Sequence, residues 1–257
     1  RNLEMGRKVQ TLIQESNVQH HAKLSSQLID MFSSCGSIQE ATQVFESFSK
    51  PHVYAWNAII CAYMQNGLYE ETMYLYVKMQ GSNTYPTIEI FLSVLKACMN
   101  VLALSEGRLI HSDAIKQGID QHLFIGSALI NMYSKCGLLS QAQGVLELLP
   151  SRNVVSWNTI ITGYLQQAHY NLVLNYFHKL LQEEVEPDKV TFLCILRAIS
   201  HSDLMYMGMM IHHEILMRQD EVDAVLGSTI VHMYVKCGCM EDAQAAFNKL
   251  QSRNAVT

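Results

Sequence analysis

Short side chains that both donate and accept hydrogen bonds recur in this sequence at an interval of 101 residues. Asn57 is followed by Asn158 at that interval, and Ser26 is followed by Ser127 and then by Ser228. An asparagine amide or a serine hydroxyl can recognise a polar edge of a ligand, although both residue types are also common helix caps. Their recurrence at one place in the repeat, among matching neighbours, favours recognition over capping.

Two further groups of residues partly match a zinc-dependent deaminase signature. His212 and Glu214 form an H-x-E string, and Cys237 and Cys239 supply two thiols. The signature requires P-C-x-x-C in its second half, whereas this chain has C-x-C without the proline. His212 and Cys237 also recur 101 residues earlier, so both are ordinary repeat positions. With no glycine-rich phosphate loop and no nucleophile elbow either, the sequence predicts no catalytic residue, no metal ligand and no cofactor.

The 101-residue period predicts a stack of small units. Cys35-Gly36 recurs twice more along the chain, and Trp56-Asn57 recurs once. Units of 31, 35 and 35 residues make up each period. After a partial unit at 1–21, the units lie at 22–52, 53–87, 88–122, 123–153, 154–188, 189–223 and 224–254, and another begins at 255–257. A fixed long period indicates a solenoid, so we expect function along a surface and not in one cleft.

Within each unit the apolar residues follow helical spacing. Trp56, Ile59, Ile60 and Tyr63 lie at i, i+3, i+4 and i+7, and the same stripe returns from Trp157 onward, which predicts that both tryptophans belong to the core. Helices of about 12 residues are marginal alone in water, so each hairpin must pack on its neighbours. The sequence therefore predicts an all-α fold, one α-solenoid of helix-turn-helix hairpins.

The turns between paired helices carry their own signals. Glycine in each Cys-Gly pair suits the left-handed residue that ends a helix. Ser37-Ile38-Gln39-Glu40 resembles a capping box that opens the next helix. Ala168 replaces the turn glycine that Gly67 provides one period earlier, so we expect that hairpin to bend differently.

Composition fits a folded chain with reduced cysteines. Hydrophobic residues make up 49% of the sequence, and no apolar run is long enough to span a bilayer. Cys35, Cys136 and Cys237 occupy one position in separate hairpins, too far apart to pair, which predicts half-buried thiols beside turns. The formal net charge of −5 argues against strong phosphate binding. The chain begins and ends inside units, so we expect it to be part of a longer protein.

Three motifs resemble the standard, long and short repeats of plant pentatricopeptide repeat proteins of the PLS subclass. They are V-V-S-W-N-T-I-I from Val154 with Pro187-Asp188 at the end of the unit, V-T-F-L from Val190 with Gly208 and Ile211-His212, and S-A-L-I-N-M-Y-S-K-C-G from Ser127. The resemblance covers essentially the whole chain, in the family's order and lengths. It implies a right-handed superhelix that binds single-stranded RNA, one nucleotide per repeat, in mitochondria or chloroplasts. It also implies a role in RNA processing, above all in RNA editing, with any deaminase-like domain outside this chain and editing-factor proteins docking on the long units at 88–122 and 189–223.

In the family's pattern the fifth and last residues of a unit together read one base. The base-reading pairs that the resemblance implies are Ser26 with His52, Asn57 with Thr87, Ser127 with Asn153, Asn158 with Asp188, and Ser228 with Asn254. The second residue of a unit is expected to stack on neighbouring bases, and these residues are Lys23, Tyr54, Phe124, Val155, Val190 and Val225. From the amino end as the 5′ side, the implied target reads purine, pyrimidine, any, A, U, any, A. The two unspecified places fall on the long units, where Leu92 and Leu193 cannot hydrogen-bond a base.

A protein-binding scaffold of the tetratricopeptide type is the alternative function. Paired helices alone fit both interpretations. Unit lengths of 31 and 35 residues and the absence of a W-x-x-L-G-x-x-Y signature argue against the alternative. No membrane partner is expected.

Overall fold

The computed structural model describes residues 2–15, 22–202, 204–218 and 223–254, which form fifteen α-helices and no strand. In chain order the helices are α1 (Asn2–Glu15), α2 (Ala22–Ser34), α3 (Ile38–Glu46), α4 (Val53–Gln65), α5 (Tyr69–Gly81), α6 (Ile88–Val101), α7 (Leu104–Lys116), α8 (Leu123–Lys135), α9 (Leu139–Leu148), α10 (Val154–Gln166), α11 (Tyr170–Gln182), α12 (Lys189–Ile199), α13 (Met205–Met217), α14 (Ala224–Lys236) and α15 (Met240–Asn254). The predicted all-α class is confirmed. None of these described helices combines the length and apolarity needed to cross a bilayer.

Seven helices begin at the residues where the sequence analysis places the start of a unit. They are α2, α4, α6, α8, α10, α12 and α14, which we call the first helices; the odd-numbered helices are the second helices. The division into short, standard and long units stays a prediction. The predicted start of a further unit at 255–257 lies outside the described residues.

The chain divides into two compact units, residues 1–136 and 137–257. In the first unit the first helices α2, α4, α6 and α8 pack in series, and each second helix from α3 to α7 contacts its own first helix and the following one. The second unit repeats this arrangement, with α10, α12 and α14 in series. Each hairpin thus buries its apolar face against its neighbours, as short helices require.

The two tryptophans are core residues, as predicted. Trp56 is 2% exposed and packs edge-on against Phe45, with ring centroids 4.7 Å apart. Trp157 is 3% exposed and lies beside Tyr176 at 6.1 Å between centroids. The indole Nε1 of each tryptophan is buried without a hydrogen-bond partner. Both side chains therefore stabilise the fold without an indole hydrogen bond: both pack in the core, and Trp157 also has the Arg152 guanidinium 5.9 Å from its ring centroid.

A glycine–methionine contact explains two of the repeated positions. A Cβ on Gly107 would lie 2.6 Å from Sδ of Met132, and one on Gly208 would lie 2.6 Å from Sδ of Met233. Both methionines are fully buried. Glycine at this place lets a second helix approach the next first helix closely.

The turn signals are partly confirmed. Gly36, Gly137 and Gly238 have φ of 74°, 79° and 78°, the left-handed conformation predicted for them. The expected capping box at Ser37 is wrong. The Ser37 hydroxyl bonds to the Glu40 carboxylate and makes no bond to the helix backbone, so the amides of that first turn are left uncapped by this side chain.

The hairpin at Ala168 does not bend differently, contrary to expectation. Ala168 has φ of 58°, and Gly67 one period earlier has φ of 76°. The closing bonds also match: the amide of His169 donates to the carbonyl of Tyr164 at 2.9 Å, and the amide of Leu68 donates to that of Tyr63 at 3.0 Å. Alanine therefore adopts the left-handed conformation that glycine normally supplies, at a cost in backbone strain.

This strain predicts opposite effects for two reciprocal substitutions. Gly67→Ala should lower the free energy of unfolding by about 1–2 kcal/mol, because a Cβ is disfavoured at positive φ. Ala168→Gly should raise it by about 0.5 kcal/mol, since relief of strain outweighs the added freedom of the unfolded chain. Urea unfolding monitored by circular dichroism measures both, and a loss of stability in Ala168→Gly would contradict the strain argument.

Candidate nucleic-acid interface

The fifth residues of the units occupy one position on successive first helices. Asn57 and Ser127 lie on α4 and α8 of the first unit, with Leu92 on α6 between them. Asn158 and Ser228 lie on α10 and α14 of the second unit, with α12 between them. All these residues lie one turn inside a helix and cap nothing. The capping interpretation therefore does not account for the fifth residues.

The last residues of the units, by contrast, are helix N-caps. The side chains of His52, Thr87, Asn153 and Asp188 accept hydrogen bonds from the backbone amide three residues later, at 3.1, 3.5, 3.0 and 2.9 Å. Such caps fix the position and orientation of the side chain at the start of the next first helix. Base reading by these residues stays a prediction. It would have to use the side-chain polar atoms that do not accept the capping hydrogen bond.

Asn158 and Asp188 are joined directly, with Thr191 as a third member. Asn158 Nδ2 donates to Asp188 Oδ1 at 2.8 Å, and Thr191 Oγ1 donates to Asn158 Oδ1 at 2.6 Å. Because a carboxylate only accepts, the first bond fixes which end of the amide faces Asp188. The second amide hydrogen of Asn158 and Oδ2 of Asp188 remain outside these bonds. Asn158 is 7% exposed, so the pair is rigid and set into the protein surface.

Thr191 was missed as a candidate by the sequence analysis. It completes a capping box in which its hydroxyl also accepts from the amide of Asp188 at 3.2 Å. The spacing D-x-x-T at a unit boundary is the signal that could have identified it.

The other predicted pairs are less tightly connected. Asn57 Oδ1 is 3.6 Å from the Cys61 thiol, while Thr87 caps α6. The Ser228 hydroxyl is exposed and bonds to the Val225 carbonyl at 2.9 Å.

Three predicted pairs have members in different settings. Ser127 and Asn153 belong to one predicted repeat, but Ser127 lies in the compact unit of residues 1–136 and Asn153 in that of residues 137–257. Ser26 is half-buried, and burial lowers the pKa of its predicted partner His52, which favours a neutral imidazole. The Asn254 backbone ends α15, and its side chain lies outside what the structure describes.

The second residues of the units are exposed apolar side chains. The exposed fractions are 65% for Tyr54, 62% for Phe124, 56% for Val155, 48% for Val190 and 51% for Val225. Each lies one turn before the fifth residue on its first helix. Exposed apolar residues repeated at one helix position form a surface that is available to a ligand. The Lys23 side chain is outside the described part of the chain.

Both aromatic second residues pack against the histidine that precedes their helix. The ring centroids of His52 and Tyr54 are 6.0 Å apart, and those of His122 and Phe124 are 5.7 Å apart. Each aromatic ring thus has the imidazole of the N-cap residue as a neighbour.

Asp223, the last residue of the second long unit, already makes two polar interactions within the protein. Asp223 caps α14 through the Leu226 amide at 3.0 Å and pairs with Lys189. The hydrogen bond from the Lys189 ammonium lowers the pKa of the Asp223 carboxyl, which stays charged. Leu193, the fifth residue of the same unit, offers no polar atom, so this unit lacks a hydrogen-bonded pair like that of Asn158 and Asp188.

Charge is distributed unevenly between the two kinds of helix. The first helices contain six Lys and Arg residues against the two acidic residues Asp30 and Glu89. The second helices contain eight basic and twelve acidic residues. The net negative charge therefore does not describe the surface that the first helices present.

The residues that partly matched a deaminase signature have structural roles. His212 Nδ1 lies 3.0 Å from the Tyr234 hydroxyl, and His111 makes the same contact with Tyr133 at 2.9 Å one period earlier. Burial lowers the pKa of both imidazoles. Across the described residues, no three His, Cys, Asp or Glu side chains are grouped so that they could hold a metal ion.

Comparison with known proteins identifies related sequences along most of the chain. Residues 152–201 match the PPR repeat family, and residues 54–84, 127–154 and 228–254 match the PPR repeat. A pentatricopeptide repeat-containing protein of Arabidopsis thaliana, At4g18520, chloroplastic, is 32% identical over 99% of this chain and 41% of its own length. A second from Arabidopsis thaliana, the putative mitochondrial protein At3g13770, is 32% identical over 91% of this chain and 37% of its own length.

The fold is also similar to solved structures. The crystal structure of the pentatricopeptide repeat protein PPR10 in complex with an 18-nt psaJ RNA element has a TM-score of 0.74 and 16% identity, covering 98% of this chain and 38% of that chain. The chain spans less than half the length of these relatives. Their names place them in chloroplasts or mitochondria, in agreement with the location that the resemblance implies.

Proposed function

Because this chain belongs to the pentatricopeptide repeat family, we propose that it binds single-stranded RNA along its first helices, with one base read by each standard or short repeat. The observation that carries the proposal is the recurring pair of an exposed apolar second residue and a small polar fifth residue one turn later. The first can stack on a base, and the second can hydrogen-bond its edge. The similarity to PPR10, which was crystallised with an RNA element, supports the proposal.

At Asn158 and Asp188 the free atoms suit uracil. Uracil offers a carbonyl oxygen beside an N–H on its Watson–Crick edge. The second amide hydrogen of Asn158 can donate to that carbonyl, and Oδ2 of Asp188 can accept from that N–H. Thr191 holds both side chains in place before RNA arrives, so little conformational freedom is lost on binding.

The base preference at this repeat can be exchanged. Asn158→Thr, with Asp188 kept, should shift the preference from uracil toward guanine, because the shorter threonine side chain leaves room for a purine, whose two N–H groups can both donate to the Asp188 carboxylate. The uracil-over-guanine preference should change by about 1–3 kcal/mol, the usual cost of one mismatched base. Fluorescence anisotropy with two RNAs that differ at that base measures it. Asn175→Thr, on the second helix α11, is the matched control, and an unchanged preference in Asn158→Thr would remove this pair from the proposal.

We further propose that the whole protein uses this RNA-binding segment to select a site in an organellar transcript for processing, RNA editing above all. No residue of this chain is assigned a catalytic role. The repeats position the RNA, and the chemistry would be supplied outside the segment.

A second surface fits a protein partner. The long-unit helix α13 exposes Tyr206, Met209, Met210 and Met217. Flexible methionines in an exposed apolar patch are typical of protein-binding surfaces. We propose that this face docks an organellar RNA editing factor. Met210→Lys should then weaken that association and leave RNA affinity unchanged.

A further inference from the structure

The same groove occurs twice, 101 residues apart, beside the first helix of each long unit. In the first unit it lies between α4 and α6, is about 500 Å³ in volume, and includes Cys61, Gln65, Tyr69, Ser93, Lys96 and Asn100 in its lining. In the second unit it lies beside α10 and α12, is about 530 Å³ in volume, and includes Thr162, Gln166, Tyr170, Cys194, Arg197 and His201 at the same places. Ser228, Thr229 and His232 of α14 also line the second groove and have no counterpart in the first. The repetition of the other lining positions indicates a shared role.

Each groove contains one cation that has no carboxylate partner. Lys96 and Arg197 are exposed, and neither takes part in any ion pair formed by the described residues. Each follows the leucine at the fifth position, Leu92 or Leu193, by one helical turn. The long unit thus lacks a polar group to read a base but has a positive charge on the same stretch of helix.

The floor of each groove carries a thiol and a hydroxyl in contact. Cys61 Sγ lies 3.3 Å from Ser93 Oγ in the first groove, and Thr162 Oγ1 lies 3.5 Å from Cys194 Sγ in the second. The hydroxyl belongs to the long-unit helix α6 in the first groove and to the preceding first helix α10 in the second, but the thiol–hydroxyl contact is the same. A hydroxyl beside a cation can donate to an anionic oxygen.

Aromatic side chains form the wall of the second groove. Tyr170 stacks on His201, with centroids 4.6 Å apart and planes 7° apart. Both rings line the groove that also contains Arg197.

Resting on the proposed binding of single-stranded RNA, we propose that each groove holds a phosphodiester of the bound strand, with Lys96 and Arg197 as the phosphate-binding residues. The long repeats then contribute backbone affinity without sequence preference, while the neighbouring repeats read bases. An ammonium or guanidinium beside neutral hydrogen-bond donors suits the anionic oxygens of a phosphate.

The two grooves should differ in strength. Two carboxylates, Asp30 and Glu89, place negative charge near Cys61 in the first groove, whereas one, Asp188, does so near Cys194 in the second. In the second unit the position of Glu89 is taken by Val190, which is neutral. A guanidinium can also bind two phosphate oxygens at once. Arg197 is therefore the stronger contact.

The test is the salt dependence of RNA affinity. Each phosphate contact on a single strand makes the plot of log association constant against log salt concentration steeper by about 0.7. The double variant Lys96→Gln with Arg197→Gln should therefore make this plot less steep by about 1.4. Affinity should fall equally for matched and mismatched RNAs, and Arg197→Gln alone should reduce affinity more than Lys96→Gln alone. Anisotropy titration of labelled single-stranded RNA at four or more salt concentrations gives these values.

The matched control removes one lysine and one arginine from second helices. Lys78→Gln with Arg108→Gln changes the net charge equally, and both residues are exposed, on α5 and α7. The inference is overturned if the groove variant and the control have the same slope, or if the groove variant loses base preference instead. Absence of RNA binding by the unaltered chain would be a different result, since it would overturn the proposed function itself.

Discussion

Trp157→Ala should lower the free energy of unfolding by about 3–5 kcal/mol, the usual cost of truncating a buried aromatic residue. Trp157 is 3% exposed and packs beside Tyr176, so its removal leaves a cavity between α10 and α11. Because each hairpin is stabilised by its neighbours, the loss should spread beyond that hairpin within residues 137–257. Urea denaturation followed by circular dichroism measures the change.

Trp157→Phe is the control for this substitution. The Trp157 Nε1 atom has no hydrogen-bond partner, so phenylalanine removes volume without breaking a hydrogen bond. We expect a cost well below that of alanine. If Trp157→Ala lost less than about 1 kcal/mol, the packing of the hairpins described above would be wrong.

Replacing Tyr54 and Phe124 together by alanine should weaken RNA binding without changing stability. Both rings are largely exposed at the second position of a first helix. Base stacking on an aromatic side chain contributes about 1–3 kcal/mol per base, so the double variant should lose about 2–6 kcal/mol of binding free energy. The dissociation constant should therefore rise at least about 25-fold. Anisotropy titration measures the affinity, and thermal unfolding should be unchanged.

Tyr74→Ala with Tyr206→Ala is the matched control. These two tyrosines are at least as exposed as the first pair and lie on the second helices α5 and α13. Their removal should leave RNA affinity unchanged. Equal losses from both double variants would show that exposed aromatic residues bind RNA nonspecifically and would contradict a specific role for the second position.

Most of the fold could be predicted because the 101-residue repeat and the apolar spacing within it indicate where the helices lie. Apolar stripes such as Trp56 to Tyr63 recur at 101 residues, and first helices begin where the units were placed. Turn geometry was less predictable. Ala168 takes a left-handed conformation because the packed helices on both sides determine the turn. The conformational preference of alanine by itself does not predict this. Ser37 likewise does not cap its helix, because its hydroxyl donates to the Glu40 carboxylate and makes no bond to a backbone amide.

The candidate site was only partly predictable. The positions of Asn158 and Asp188 followed from the repeat, but their bond to each other and the bridge through Thr191 depend on how α10 and α12 approach. Net charge does not describe either kind of helix, because it sums the acidic second helices with the basic first helices. Only the structure separates the two surfaces.

The central claim is tested most directly by titrating this chain with single-stranded RNA that carries purine, pyrimidine, any, A, U, any, A, read from the 5′ end. A scrambled strand and a duplex of the matched sequence serve as competitors, at two salt concentrations. The account predicts the highest affinity for the matched strand, a loss of about 1–3 kcal/mol for each mismatch at the A, U and A positions, and weak binding to the duplex. Equal affinity for the matched strand, the scrambled strand and the duplex would contradict it.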